Sequence, residues 1–164
     1  MVDAESWMQD MDLLYHYTSV VSHSQLGATP EVENLWRTVI VEEAMKYDFL
    51  LHGILALSAQ SKARMYPADN AKYQRLCAKH QNTALLGYRE RLQQEVTVES
   101  SCALFAFASL VSMTAQASSC AAASAMPGPK MLSMYKRNHL WKAAIVALTT
   151  LYREQVAEIF HLTM

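Results

Sequence analysis

From Cys102 to Met126 the sequence carries no charged residue. A helix over that stretch is long enough to cross a bilayer, so it must either meet lipid or lie inside a protein. Its content decides between the two. Ala, Ser, Thr and Gln fill much of it, and Leu, Ile and Phe are few beyond Val111. Such a segment is marginal for insertion into a membrane. The sequence therefore predicts no membrane span and instead a central helix buried on all sides of a bundle.

The rest of the chain reads as helix as well. Leu13, Leu14, Tyr17, Val20 and Val21 recur at three- and four-residue spacing, which predicts a first helix over 9–25 with Gly27 as its stop. Thr29-Pro30-Glu31 has the chemistry of a helix start: a hydroxyl for the cap, proline in the first turn, an acid near the positive end of the dipole. Val32, Leu35, Trp36, Val39 and Ile40 then line one face. A third helix is expected over 48–65, with Phe49, Leu50, Ile54, Leu57 and Ser58 as its packing stripe. Pro67 ends it, and Asp69 is placed to cap a fourth helix over 70–95. There Tyr73, Leu76, Cys77, His80, Ala84, Leu85, Tyr88 and Leu92 share a face, while Lys72, Arg75, Lys79, Arg89 and Glu90 lie largely outside it. Thr97 caps the uncharged fifth helix, with Glu99 in its first turn. Met126-Pro127-Gly128-Pro129-Lys130 is the strongest break, and 132–162 reads as one more helix. The fold class is all-α, a single bundle of about six helices, with 1–125 as the main domain and 126–164 as a divergent tail.

Composition narrows the functional classes. The 164 residues suffice for one core, and 52% of them are hydrophobic against 18% charged. That excess of apolar residues leaves room for a partner face or a cavity. Net charge is -1, with acids and bases mixed along the chain and no long single-sign block. Direct nucleic-acid binding, which relies on a basic surface, is not expected. Three widely spaced cysteines argue against a disulfide framework and for a reducing compartment, and the acidic start has no signal-peptide character.

Recognised chemistry is sparse. No two cysteines have zinc-ligand spacing, and His16 and His23 stand two turns apart on one helix. The four glycines form no phosphate-cradling loop. Glu42 and Glu43 are adjacent and do not face one another. No metal, cofactor or catalytic residue is expected, and a non-enzymatic role is favoured. His16, Tyr17 and His52 lie among apolar neighbours, where satisfied core positions outweigh ligand contacts. Ten methionines spread through the chain read as core filling. Cys102 near a helix start could have its thiol acidified by the dipole, and Lys62, Arg64, Lys72, Arg75 and Lys79 read as a solvated face.

One pattern runs across these helices in order. Trp7-Met8-Gln9-Asp10-Met11-Asp12-Leu13-Leu14-Tyr15-His16-Tyr17-Thr18 is followed by Leu35-Trp36-Arg37. Phe49-Leu50-Leu51-His52-Gly53-Ile54-Leu55-Ala56-Leu57-Ser58-Ala59 comes next. Tyr73, His80-Gln81, Ala84-Leu85 and Phe105-Ala106-Phe107-Ala108-Ser109-Leu110 complete it. The series resembles the regulatory region of fungal zinc-cluster transcription factors, in particular the sterol-uptake-regulator subgroup. The likeness fades after about Ala117, and these residues include no six-cysteine zinc cluster.

The resemblance implies an all-α regulatory region that answers to a hydrophobic small molecule, a sterol or terpenoid, or to a protein partner. Its place would be the nucleus or cytoplasm, with DNA contacts made by the separate zinc cluster. It implies a ligand pocket for which His16, Tyr17, Trp36, Phe49, His52 and Phe105 are the candidates. A competing expectation is a small standalone binding protein or enzyme of a terpenoid or polyketide pathway built on the same fold. There His16, Tyr17 and His52 would be the first acid–base candidates.

Overall fold

A computed structural model describes residues 4–26, 29–95 and 97–123, and the packing below is that of the unit Met1–Thr114. The expected break at Met126–Lys130 and the helix over 132–162 lie outside the described residues, as does the stop at Gly27. All elements are helical, with no strand among the described residues. The all-α expectation holds.

The first rod begins as α1 (Ala4–His16) and continues as a wider π-helical segment (Tyr17–Leu26). It starts five residues earlier than the apolar spacing predicts, because the spacing registers only the buried face. The hydroxyls of the second half bond back to preceding carbonyls: Ser19 to Tyr15 at 2.6 Å, Ser22 to Thr18 at 3.0 Å and Ser24 to Val20 at 2.7 Å. Such back-bonding competes with the backbone ladder and accompanies departures from regular α geometry.

The second rod comprises α2 (Pro30–Asn34), a π-helical turn (Leu35–Val39) and α3 (Ile40–Ala44). Thr29 caps it as the sequence predicts, its Oγ1 accepting from the Val32 amide at 3.4 Å. Val39, expected on the packing face, is exposed. The π-helical turn breaks the strict helical period that placed it inward.

The third rod, α4 (Asp48–Met65), has the predicted bounds but not the predicted stripe. Phe49, Leu50 and every residue from Gly53 to Ala63 are buried. The helix closed off on all sides is therefore α4, not the uncharged one. Polar groups on α4 consequently need partners, and two of them find carbonyls on neighbouring helices. Ser58 donates to the Leu13 carbonyl at 2.6 Å, and Gln60 Nε2 donates to the Thr114 carbonyl at 2.9 Å.

A single 3-10 turn (Pro67–Asp69) leads into α5 (Asn70–Leu92). Asp69 occupies the cap position but makes no side-chain cap bond; the Asn70 amide instead reaches back to the Ala63 carbonyl at 2.9 Å. Leu92, expected inside, is exposed at the helix end, three residues short of the predicted terminus. The last rod is α6 (Val98–Ala123). Its start is a reciprocal cap, with Ser100 N donating to Thr97 Oγ1 at 3.2 Å and Thr97 N donating to Ser100 Oγ at 3.1 Å. Ser100 thus takes the role that Glu usually fills in a capping box.

One part of the core lies between α1, α4 and α5, where Leu13, Leu55, Ala56, Ala59 and Cys77 are buried together. The other is an aromatic junction of α4, α5 and α6. Phe107 meets Phe49 edge-on at 5.6 Å and Tyr88 at 4.8 Å between ring centres. Gly53 makes this approach possible: a Cβ there would stand 2.8 Å from Phe107 Cδ2.

Candidate functional site

Residues 10 to 17 of the first rod present a run of polar groups to α4 and α5. Asp10 Oδ1 and His80 Nε2 face each other at 3.2 Å, both buried and off the line of a well-formed hydrogen bond. The other nitrogen of His80, Nδ1, stands 2.9 Å from Nδ1 of His52, with the rings stacked at 5.2 Å. One of those two Nδ1 atoms carries the proton and the other accepts it. The result is a carboxylate–imidazole–imidazole chain that ties α1 through α5 to α4.

Burial sets the character of this chain. His80 is held below the ordinary histidine value mainly by burial, with His52 and Lys79 pushing the same way and Asp10 opposing. His16 behaves alike: burial lowers it first, the Lys62 ammonium lowers it further, and Asp12 opposes. His16 Nε2 pairs with Ser61 Oγ at 3.1 Å. Both rings are neutral at neutral pH and act as hydrogen-bonding spacers between helices.

Lys62 is the main surprise of this junction. Its side chain is only 10% exposed and its ammonium is salt-bridged to Asp12, with the Tyr73 ring 5.6 Å away. It belongs to the interior, not to a solvated face as expected. Its neighbours in the sequence carried the signal. Ile54, Ser58 and Lys62 fall at successive four-residue steps, so the stripe that buries Ser58 also buries Lys62.

The six sequence candidates fall into two groups and a remainder. Tyr17 is fully buried and its hydroxyl donates to the Trp36 carbonyl at 3.1 Å, tying the first rod to the second. His16 precedes it. Burial raises the Tyr17 phenol above its ordinary value, so the proton is held. A phenol so placed positions helices. Phe49 and His52 form the second group on α4, facing Phe107 and His80. Phe105 is half-buried, and the place at the aromatic junction is taken by Phe107. Asp10, Asp12 and Lys62 were missing from the sequence candidates. His80 and Tyr88 had been read as packing residues only.

The thiols of Cys77 and Cys102 are both shifted upward. Burial raises Cys77, and burial with the Glu43 carboxylate raises Cys102, with Lys46 opposing. The acidification that a helix dipole could give Cys102 is outweighed by desolvation. Among the described residues no group of three or more His, Cys, Asp or Glu is placed to hold a metal ion. Among them, too, no helix is long and apolar enough to cross a membrane.

Fold and site together define an all-helical module whose interior polar groups are engaged in joining helices. Comparison with known proteins makes this specific. The fungal-specific transcription factor domain matches residues 12–126, and the chain belongs to that family. It is 42% identical over 57 residues to the Sterol uptake control protein 2 of Candida albicans, across 35% of this chain and 8% of that protein. It is 28% identical over 120 residues to a Zn(2)-C6 fungal-type transcription factor of Gibberella zeae, across 71% of this chain and 24% of that protein. The chain thus corresponds to less than a quarter of the length of either relative. No solved structure matches. Every residue of the Asp10–His80–His52 chain except Asp10 lies inside the matched span.

Proposed function

We propose that this chain is the effector-sensing part of a zinc-cluster-type transcription regulator, with residues 1–125 as the sensing module and 126–164 as a distinct tail. It answers to a hydrophobic small molecule of the sterol or terpenoid class or to a protein partner, and its contact with DNA is supplied outside these residues. It acts in the nucleus or shuttles there from the cytoplasm. The family match over residues 12–126 carries this reading. The relative named for sterol uptake control supports the choice of ligand class. The physical features agree with it. A net charge of -1 offers no field for a polyanion, while the helices supply apolar surface in excess.

The test is to tether the chain to an unrelated DNA-binding domain in a fungal host and follow a reporter while cellular sterol is depleted and restored. Native mass spectrometry of the same fusion identifies any bound lipid. A reporter that responds to sterol, with stoichiometric lipid on the protein, supports ligand sensing. A reporter that responds only when a second protein co-purifies supports partner sensing. A reporter inert under all conditions, on a folded fusion, removes the proposal.

A further inference from the structure

The lysines and arginines of the described residues divide into two kinds. Arg37 and Lys46 pair with acids three or four residues away, Glu33 at 3.8 Å and Glu43 at 3.0 Å, and Lys62 is salt-bridged to Asp12. Arg91 donates to Gln94 Oε1 at 3.0 Å and to the Glu95 carbonyl at 3.2 Å, and Arg64 is engaged as well. Lys72, Arg75, Lys79 and Arg89 have no carboxylate partner among the described residues, and each is exposed. All of these unpaired cations lie on α5.

They share one side of that helix. Cys77, His80 and Ala84 define its buried side, and the cations follow at helical steps on the opposite side. Leu86, 62% exposed, stands in the same stripe, which runs ~26 Å from Lys72 to Arg89. Glu90, at its end, is the one acid of α5. Since the whole chain has a net charge of -1, this is a local concentration of charge and not a general basicity. Apolar surface adjoins it. Lys79 Nζ donates to Ser6 Oγ at 3.2 Å, and Trp7, next in the chain, is 54% exposed at the head of an exposed α1 stripe with Met8, Met11 and Tyr15.

We infer that the outer side of α5 is a docking surface for an acidic segment of a protein, whose carboxylates pair with Lys72, Arg75, Lys79 and Arg89 and whose apolar side chains lie on Leu86 and Trp7. Charge complementarity selects this occupant. The stripe is a row of cations lacking carboxylates, and a row of carboxylates with helical or extended spacing supplies them, two to guanidinium groups that take them bidentately. A bilayer or a nucleic acid is anionic too. As a broad surface, either would also bring phosphates against Glu90 and against Asp12, whose side chain is 54% exposed. A segment one helix wide follows the stripe without meeting them. The inference stands apart from the effector reading, since it is tested by binding to the purified chain and not by a reporter.

Fluorescence anisotropy on the full chain tests it. The probe is a labelled helical peptide of about 20 residues with glutamate and leucine on one face at three- and four-residue spacing. The controls are the same peptide with lysine for glutamate, vesicles of phosphatidylserine and phosphatidylcholine, and a DNA duplex. The wild type is expected to bind the acidic peptide saturably, several-fold more weakly as salt is raised. Arg75→Glu with Arg89→Glu is expected to weaken that binding at least ~10-fold and to gain affinity for the lysine peptide. Arg75→Gln with Arg89→Gln should weaken it without that gain, and decides the matter if the first variant loses the wild-type melt by circular dichroism. No saturable binding of the acidic peptide overturns the inference. So do folded variants that bind it as the wild type does, or a wild type that prefers the vesicles, the duplex or the lysine peptide.

Discussion

Replacing Gly53 by alanine tests the aromatic junction. Glycine in a helix interior costs roughly 1 kcal/mol relative to alanine, so propensity alone says that Gly53→Ala stabilises. The geometry says the reverse. The new Cβ would stand 2.8 Å from Phe107 Cδ2 and 3.0 Å from its Cε2, with Leu110 Cδ1 at 3.4 Å. Phe107 is 1% exposed and is bounded by Phe49 at 5.6 Å and Tyr88 at 4.8 Å between ring centres. The ring has no open side into which to move. Overpacking of this kind costs about 1–3 kcal/mol, so the net expectation is a destabilisation of about 1 kcal/mol.

Gly87→Ala supplies the comparison. Its Cβ would approach Phe49 Cβ at 3.2 Å, a distance that relaxes with a shift of a few tenths of an ångström. Here the propensity gain and the packing cost nearly cancel, and the net change is about zero, within ~0.5 kcal/mol. Urea unfolding of the two variants, followed by circular dichroism, measures the difference. A third variant sharpens the test. Phe107→Leu relieves the clash, so Gly53→Ala with Phe107→Leu should be more stable than the sum of the single changes by about 1 kcal/mol. The argument fails if Gly53→Ala equals or exceeds Gly87→Ala in stability, or if the double variant is additive.

Three further outcomes follow from the α1 junction. The folded chain holds His80 and His16 below 6.5, whereas the unfolded chain takes up protons near that value. Their contribution to stability is therefore complete above pH 6.5 and is lost as pH falls below it. The urea midpoint should be flat from pH 8 to 7 and decline toward pH 5, and His80→Gln with His16→Gln should flatten that decline; an unchanged slope refutes it. Tyr17→Phe should cost about 1–2 kcal/mol in urea unfolding by leaving the buried Trp36 carbonyl without its donor, and a change near zero would show that the hydrogen bond contributes nothing net. Asp12→Ala should destabilise by about 1–2 kcal/mol, discounted because Asp12 is 54% exposed, whereas Lys62→Met should be neutral or stabilising because it removes the buried charge itself; equal losses from both would contradict the burial of Lys62.

The helices of this chain were legible because their ends are written in local chemistry. Thr29 and Pro30 open the second rod, Pro67 closes α4, and Thr97 opens α6, each acting on neighbours within four residues. What lies between helices was less legible, for two physical reasons. Periodicity reports a face only when the other face is polar, so α4, buried all round, showed a stripe narrower than its true contact surface. Polar pairing across helices leaves no periodic trace: Asp10 and His80 are seventy residues apart, and nothing in either sequence neighbourhood names the other. Tyr17, Trp36 and Phe49 were legible as interior residues because apolar and aromatic residues advertise burial. Asp12 and Lys62 were overlooked because charged residues advertise exposure, even where a partner makes burial tolerable.

The same distinction bears on how firmly α1 is held in register. Apolar contacts tolerate sliding, since one Leu–Leu contact is much like another. The contacts of α1 do not. Asp12 with Lys62, His16 with Ser61, Ser58 with the Leu13 carbonyl, and Asp10 with His80 each set one residue of α1 against one residue of α4 or α5. A shift of α1 by one turn would break all four and leave the buried Lys62 ammonium without its carboxylate. Displacing α1 from this register is therefore costly. The rod that carries these contacts also carries the exposed stripe of Trp7, Met8, Met11 and Tyr15, so docking of α1 and presentation of its outer surface are coupled through one rigid helix.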